Sequence, residues 1–141
     1  MKVCITNVIQ PALLESGLEG IWTPRLNTSI GYCEYKCTLC GQVCPTGAIT
    51  RLEPAEKMKT KIGAAVIDRS RCLPWSKGTE CLVCEEHCPV AEKAIKIKEI
   101  TSLAGKAIGA PQVDTDLCVG CAICEYNCPA SPKKAITISP L

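Results

Sequence analysis

Thirteen of the 141 residues are cysteine, and their spacing is not scattered. One run holds Cys33, Cys37, Cys40 and Cys44; a second holds Cys72, Cys81, Cys84 and Cys88; a third holds Cys118, Cys121, Cys124 and Cys128. Cys4 stands apart. In every run the last two gaps are two and three residues and a proline follows the fourth cysteine; only the first gap varies, from three to eight to two. Thiolates are soft ligands that select zinc and iron–sulfur clusters. Three of them at three-residue intervals let one tight loop curl around a face of a cubane cluster while its backbone N–H groups point at the sulfides. The fourth, beyond a turn of chain, faces away. The following proline restricts the residue before it and removes a donor, which fixes where the loop leaves.

Three other chemistries compete for these residues. A disulfide scaffold would want an even cysteine count and a secretion signal, and neither is present in this sequence. Zinc sites use two well-separated C-x₂-C pairs rather than triplets followed by Cys-Pro. Cys33, Cys37 and Cys40 have the spacing of the radical S-adenosylmethionine motif, which leaves one iron open for cofactor. Cys44-Pro45 follows at once, however, and the chain has no room for a substrate-holding barrel, which takes about 250 residues. Iron–sulfur binding is the reading that uses the whole pattern.

Composition narrows the class further. With no Phe, three Tyr and two Trp, aromatic rings cannot build much of a core. Small aliphatic residues must pack around something that is not side chain. No stretch approaches the roughly 20 apolar residues of a membrane span, and the opening MKVCITNVIQPALLES lacks a long apolar signal region. A formal charge of +2 is too small to suggest nucleic acid. Three oxidised cysteine-ligated clusters, each about −2, would shift it to roughly −4, so a soluble partner is expected to present a basic patch.

The flanks of the second and third runs repeat. Ala65-Val66-Ile67-Asp68 ends four residues before Cys72, and Pro111-Gln112-Val113-Asp114 four before Cys118. Lys93-Ala94-Ile95-Lys96-Ile97 follows one run and Lys134-Ala135-Ile136-Thr137-Ile138 the other. Their apolar alternation predicts short strands packed on a core. Each half is then strand, cluster loop, short helix, strand. The third run matches the bacterial ferredoxin pattern C-x₂-C-x₂-C-x₃-C-P throughout, and in two-cluster ferredoxins the fourth cysteine ligates the other cluster. The expected fold is therefore α+β: a dicluster bacterial-type ferredoxin over 61–141 with an additional N-terminal half-ferredoxin module over 1–60. By the crossed rule Cys72, Cys81 and Cys84 are completed by Cys128, and Cys118, Cys121 and Cys124 by Cys88.

The first run has no downstream partner half. Cys44-Pro-Thr-Gly-Ala-Ile49 and Cys4-Ile-Thr-Asn-Val-Ile9 both read C-x-T-x-[AV]-I. Cys4 thus occupies a fourth-cysteine place, with Ile5 where proline is expected, and is favoured to complete the cluster on Cys33, Cys37 and Cys40. Cys44 is then left without a cluster in this chain. The alternative keeps Cys4 as a buried free thiol and lets Cys44 close its own site. Either way three [4Fe–4S] clusters are expected. The reading also expects a longer polyferredoxin of which this is the C-terminal part, or a partner subunit that supplies three cysteines to Cys44.

The chain resembles the polyferredoxins of the family that includes the NapG and MauM electron-transfer proteins. The resemblance rests on Cys72-Leu-Pro-Trp75, on Cys81-Leu-Val-Cys-Glu-Glu-His-Cys-Pro-Val90 with Lys93-Ala-Ile95, and on Gly31 through Ile49; Gln10 through Gly20 is similar to a linker between cluster motifs. It implies an electron carrier rather than an enzyme, working in anaerobic metabolism as part of an oxidoreductase complex. Its partners would be redox proteins, including a membrane-bound or quinol-linked oxidoreductase. The expected place is the cytoplasm, at the membrane periphery, with export left open for a longer chain that carries a leader.

Other residues have plain readings beside sharper ones. Leu73 through Glu80 is either a cover with Trp75 as a docking anchor or a turn-rich insertion held by Pro74 and Gly78. His87 is expected to be an exposed residue of a short helix rather than a ligand or proton shuttle. Lys57, Lys59 and Lys61 are expected in a solvated basic linker. Pro11 through Gly17 is expected to form a short helix opened by proline and closed by glycine. No phosphate loop, catalytic dyad or carboxylate pair is placed for bond chemistry.

Overall fold

The computed structural model describes residues 1–14, 17–101, 105 and 107–140. The chain divides into two compact units, Met1–Thr60 and Lys61–Leu141.

In the second unit the four predicted strand segments form β3 (Ala64–Ile67), β4 (Ile95–Thr101), β5 (Ala107–Val113) and β6 (Ile136–Ser139). β3 pairs antiparallel with β6, Ala65 opposite Ile138, and β4 with β5, Ile97 opposite Pro111. The first strand of each repeat therefore pairs with the last strand of the other. Alternation decides which side faces in. Along β4, Ile95 is buried and Lys96 and Lys98 are exposed, as a half-buried strand requires. The core is built from Ala65, Ala94, Ile95, Ala135 and Ile136, together with cysteine sulfur. Seven of the eight cysteines here are buried and Cys81 is half-buried.

Three short helices carry the loops. α4 (Val83–Glu86) and α5 (Ile123–Asn127) begin within the C-x₂-C segments and carry Cys84 and Cys124, and α3 (Leu73–Lys77) fills the long first gap of the second run. Pro74 sits in the first turn of α3, where its missing N–H costs nothing, and Gly78 closes it in the left-handed region at φ 63°. Trp75 lies half-buried, its indole N–H donating to the Pro111 carbonyl at 3.3 Å and Arg69 stacked 4.3 Å above the ring. His87 is exposed at the end of α4 with Nδ1 3.0 Å from the Val83 carbonyl. Gly120, at φ 76°, lies against Gly63 so closely that a Cβ would meet its backbone at 2.6 Å. That contact presses the third cysteine loop onto the chain entering β3.

The first unit holds β1 (Ile9–Pro11) antiparallel to β2 (Pro24–Leu26), a 3₁₀ turn at Leu18–Gly20, and the helices α1 (Leu39–Val43) and α2 (Pro54–Lys57). Two expectations change here. Pro11 ends a strand instead of opening a helix, because Ile9, Gln10 and Pro11 pair with Leu26, Arg25 and Pro24. Leu13 and Leu14 are not helical, and the rest of that expected helix, residues 15 and 16, lies outside the described residues. Lys57 is not solvated: α2 turns it inward, leaving it 8 % exposed, whereas Lys59 and Lys61 are exposed as expected.

Substitution Gly120→Ala should lower the anaerobic melting temperature by roughly 10 °C, the effect of about 2 kcal/mol of strain on a small unit. An unchanged value would mean that the Gly63 and Gly120 backbones separate freely.

Candidate functional site

The second unit contains two thiol-lined pockets. One is lined by Cys72, Cys81 and Cys84 together with Cys128, and closed by Ile67, Leu73, Ala135 and Ile136. The other is lined by Cys118, Cys121 and Cys124 together with Cys88, and closed by Val90, Ala94, Ile95 and Ile138. Each has an empty volume of about 350 and 310 Å³ respectively, open mouth included. The structure thus brings the fourth cysteine of each run to the first three of the other. Strand pairing causes this: each Cys-Pro exit leads into β4 or β6, which belongs to the opposite repeat's sheet.

Electrostatics show the thiols acting on one another within and across the pockets. Burial pushes the Cys84 thiol up to about 12, and Cys128, Cys72 and Cys81 add to the effect. Cys72 is raised by burial and then by Cys81 and Cys128, against a backbone N–H of Trp75. Cys124 is raised strongly, by burial first, then by Cys84, Cys121 and Cys118. Cys84 and Cys124 thus feel each other across the two pockets.

Paired side chains that the sequence reading passed over hold both loops. Glu85 accepts from the Ile97 N–H at 3.1 Å, and the buried Glu125 from the Ile138 N–H at 2.9 Å. Lys93 donates to the carbonyls of Glu86 and Cys88 at 3.1 and 2.8 Å, and Lys134 to those of Tyr126 and Cys128 at 3.3 and 2.7 Å. These ammonium groups satisfy carbonyls orphaned where α4 and α5 end. Asp68 and Asp114 repeat a third contact: their N–H groups donate to Ala135 and Ala94, both at 2.7 Å. The repeated Cys-Glu and Lys-Ala-Ile were the available signal. The Ala65 N–H reaches the Cys118 sulfur at 3.4 Å.

In the first unit all five cysteines are half-buried. Gly31 lies where a Cβ would meet the Thr6 carbonyl at 2.1 Å, and the Thr6 hydroxyl donates to the Tyr32 carbonyl. The Cys4 turn is thereby pressed onto the start of the Cys33 loop. Burial raises the Cys33 thiol, Lys57 opposes that, and Cys40 and Cys4 both raise it. Cys4 is itself brought below the ordinary thiol range: burial works against this, but Thr6 and the N–H groups of Ile9, Thr6 and Val8 prevail. Cys44 behaves differently. It lines a cavity of about 590 Å³, open mouth included, together with Cys40, Met1, Trp22 and Val43. The Ile49 N–H, 3.4 Å from its sulfur, and the Thr46 side chain bring its thiol down to about 7.

The donor set fits iron–sulfur clusters better than single ions. Among the described residues no three His, Cys, Asp or Glu converge closely enough to hold one metal ion. Zinc would draw thiolates to about 2.3 Å from a common point. Thiols that ring an apolar pocket from its walls suit a body several atoms across.

Known proteins agree with this chemistry. A family model described as a 4Fe-4S binding domain matches residues 110–136. The "Methylamine utilization ferredoxin-type protein MauM" of Methylorubrum extorquens is 37 % identical over 90 residues, covering 63 % of this chain and 40 % of the relative. The "Ferredoxin-type protein NapG" of Escherichia coli is 32 % identical over 145 residues, covering the whole chain and 61 % of the relative. "Ferredoxin-type protein NapF" of the same organism is 30 % identical over 129 residues, covering 91 % of the chain and 68 % of the relative. The chain spans about two fifths of the MauM relative and three fifths of NapG. No solved structure matches it.

Because the thiolate is the reacting form, iodoacetamide should alkylate Cys44 of the cluster-loaded chain at a rate that climbs about tenfold per pH unit up to about 7 and then levels off. Peptide mass spectrometry that found Cys44 unmodified at pH 8 and Cys4 alkylated instead would hand the first site to Cys44.

Proposed function

Because the chain belongs to the family of ferredoxin-type proteins that includes NapF, NapG and MauM, we propose that it relays electrons between redox partners through three [4Fe–4S] clusters. It is a ferredoxin-type iron–sulfur electron carrier. The observation that carries the finer reading is the pair of thiol quartets in Lys61–Leu141, each made of three cysteines from one repeat and one from the other. In this reading Cys72, Cys81, Cys84 and Cys128 hold one cluster and Cys118, Cys121, Cys124 and Cys88 a second, the two sites of a dicluster ferredoxin domain. Cys33, Cys37 and Cys40 hold the third, completed by Cys4, in a half-ferredoxin module over residues 1–60. The effect of Cys4 on the Cys33 thiol and the close approach of the Cys4 turn to Gly31 support that choice. Cys44, with its own N–H-stabilised thiol, would serve a further cluster whose other cysteines lie outside this sequence.

A bound [4Fe–4S] cluster supplies a one-electron couple that forms no bond to a substrate. The protein's part is to hold, shield and tune. Eight thiols held in the second unit fix two sites a short distance apart, with Cys84 and Cys124 in mutual electrostatic reach. Ile95, Ile136 and the alanines around them exclude water. Backbone N–H groups such as that of Ala65 bond cysteine sulfur and bias the potential. An electron then enters at one site and leaves at another without proton transfer by a side chain. No helix among the described residues is long and apolar enough to cross a membrane. We propose a redox protein as partner, a membrane-bound or quinol-linked oxidoreductase docked peripherally on the cytoplasmic side.

The crossed assignment is tested by counting iron. Each site holds four irons, so the loaded chain should carry about twelve, and Cys84→Ser alone about eight. Adding Cys88→Ser should remove a second site and leave about four. If Cys88 served its own run, the double variant would still hold about eight.

A further inference from the structure

Two backbone positions that the repeats make equivalent differ by one hydrogen. Ala65 lies three residues before Asp68 in β3, and Pro111 three residues before Asp114 in β5. In each sheet the aspartate N–H donates across to the opposite strand, to Ala135 and Ala94, both at 2.7 Å. Backbone groups alternate in direction along an antiparallel strand, so three residues earlier they turn away from the partner strand. Ala65 accordingly faces outward from its pairing with Ile138, and its N–H donates to the Cys118 sulfur at 3.4 Å in a buried setting. Pro111 faces outward from Ile97 in the same way. Its carbonyl accepts from the Trp75 indole at 3.3 Å, and the buried ring lines the pocket of Cys72, Cys81, Cys84 and Cys128. A proline nitrogen carries no hydrogen. The bond that β3 gives to one quartet, β5 withholds from the other.

Proline is tolerated at 111 because that nitrogen owes the ladder no bond. The consequence falls on sulfur instead. A [4Fe–4S] site with four cysteine ligands goes from about −2 to about −3 when one electron arrives. An N–H aimed at ligand sulfur stabilises the more negative state more, and so raises the reduction potential. No proton moves and no bond forms or breaks. The Trp75 N–H also favours the Cys72 thiolate. It belongs to the Cys72 loop itself, so exchanging residue 111 leaves it in place.

We propose that Ala65 and Pro111 are a matched pair of potential-setting positions: the Ala65 N–H raises the reduction potential of the cluster held by Cys118, Cys121, Cys124 and Cys88, and Pro111 keeps the same bond from the cluster held by Cys72, Cys81, Cys84 and Cys128. The proposal rests on the ligand reading given above for those sites. Two sites that the repeat makes alike are thereby made unequal by the backbone and not by a side chain.

The test is a potentiometric titration of the whole cluster-loaded chain, with dithionite as reductant and electron paramagnetic resonance as readout. Iron and acid-labile sulfide are counted first, and Cys84→Ser and Cys124→Ser identify which midpoint belongs to which site. Pro111→Ala and Pro111→Val both restore an N–H, with different side-chain volumes. Each should move the Cys72-site midpoint positive, so that the reduced-to-oxidised ratio at fixed potential rises about threefold or more, about 28 mV for one electron. Ala65→Pro should move the Cys118-site midpoint negative by a similar factor, and Ala65→Gly, which keeps the N–H, should leave it in place. A loaded Pro111 variant whose Cys72-site midpoint stays put or falls overturns the proposal. Loss of iron from both Pro111 variants overturns it as well, since the proline would then serve packing and not potential. If Ala65→Pro fails to load, the Pro111 pair decides alone. Full iron and every signal retained in both Cys84→Ser and Cys124→Ser would sink the ligand reading itself.

Discussion

The structure depends on bringing negative sulfur together in places that water does not reach. Each thiol must lose its proton to bind iron, and burial and neighbouring sulfur both resist that loss. Cys84, pushed up to about 12, shows the scale of the resistance. Only a multivalent positive body at the centre of each quartet reverses the sign, turning mutual repulsion into shared attraction. The residues around the pockets are correspondingly small. Ala65, Ala94 and Ala135 leave room, and no phenylalanine competes for it. In the proposed reading cluster and core would occupy the same space, so folding of the second unit would be linked to metal loading.

Topology supplies the geometry. Because β3 pairs with β6 and β4 with β5, each repeat completes the sheet of the other. The Cys-Pro segments that lead into β4 and β6 cross with them. The crossed grouping of thiols and the crossed strand pairing are then one arrangement seen at two levels. The matched contacts of Glu85 with Glu125, Lys93 with Lys134 and Asp68 with Asp114 tie each loop to a strand at equivalent points. The buried carboxylate of Glu125 is tolerated there because it accepts from the Ile138 N–H, and the lysines meet carbonyls that would otherwise be orphaned.

What could be read from sequence was what repeats. The cysteine spacing announced the chemistry, and the doubled flanks announced strands near 65–68, 93–97, 111–114 and 134–138, where Ala64–Ile67, Ile95–Thr101, Ala107–Val113 and Ile136–Ser139 form. Singular features were harder. The Lys-Ala-Ile segments were legible as strands, but the lysine's reach back to Cys88 and Cys128 depends on a turn, with Lys93 at φ 51°, that periodicity does not reveal. Leu73–Lys77 could be a cover or a turn, and it is one turn of helix whose Trp75 is spent on Pro111. The helix expected from Pro11 gave way to a strand because the pairing of Ile9 through Pro11 with Pro24 through Leu26 outweighs a proline–glycine bracket. Lys57 looked solvated because its neighbours Glu53, Glu56 and Lys59 are; only the phase of a four-residue helix turns it in.

The first unit is not a copy of either repeat, and its departures explain its different balance of forces. Where the repeats place Glu85 and Glu125 after a cysteine, it has Gly41; where they place Lys93 and Lys134 before Ala-Ile, it has Gly47. Both clamps that anchor loop to strand are therefore missing. In their place stand the close approach of Gly31 to Thr6, which seats Cys4, and the buried Lys57, which opposes the effect of burial on the Cys33 thiol. Its thiols are half-buried where all of those of the repeats but Cys81 are buried, so water screens their electrostatic interactions more. A single buried cation then weighs more on the thiol it acts on than any surface lysine could, because screening falls away with burial. The unit that has lost its symmetric clamps is thus the one whose thiols depend most on individual neighbours.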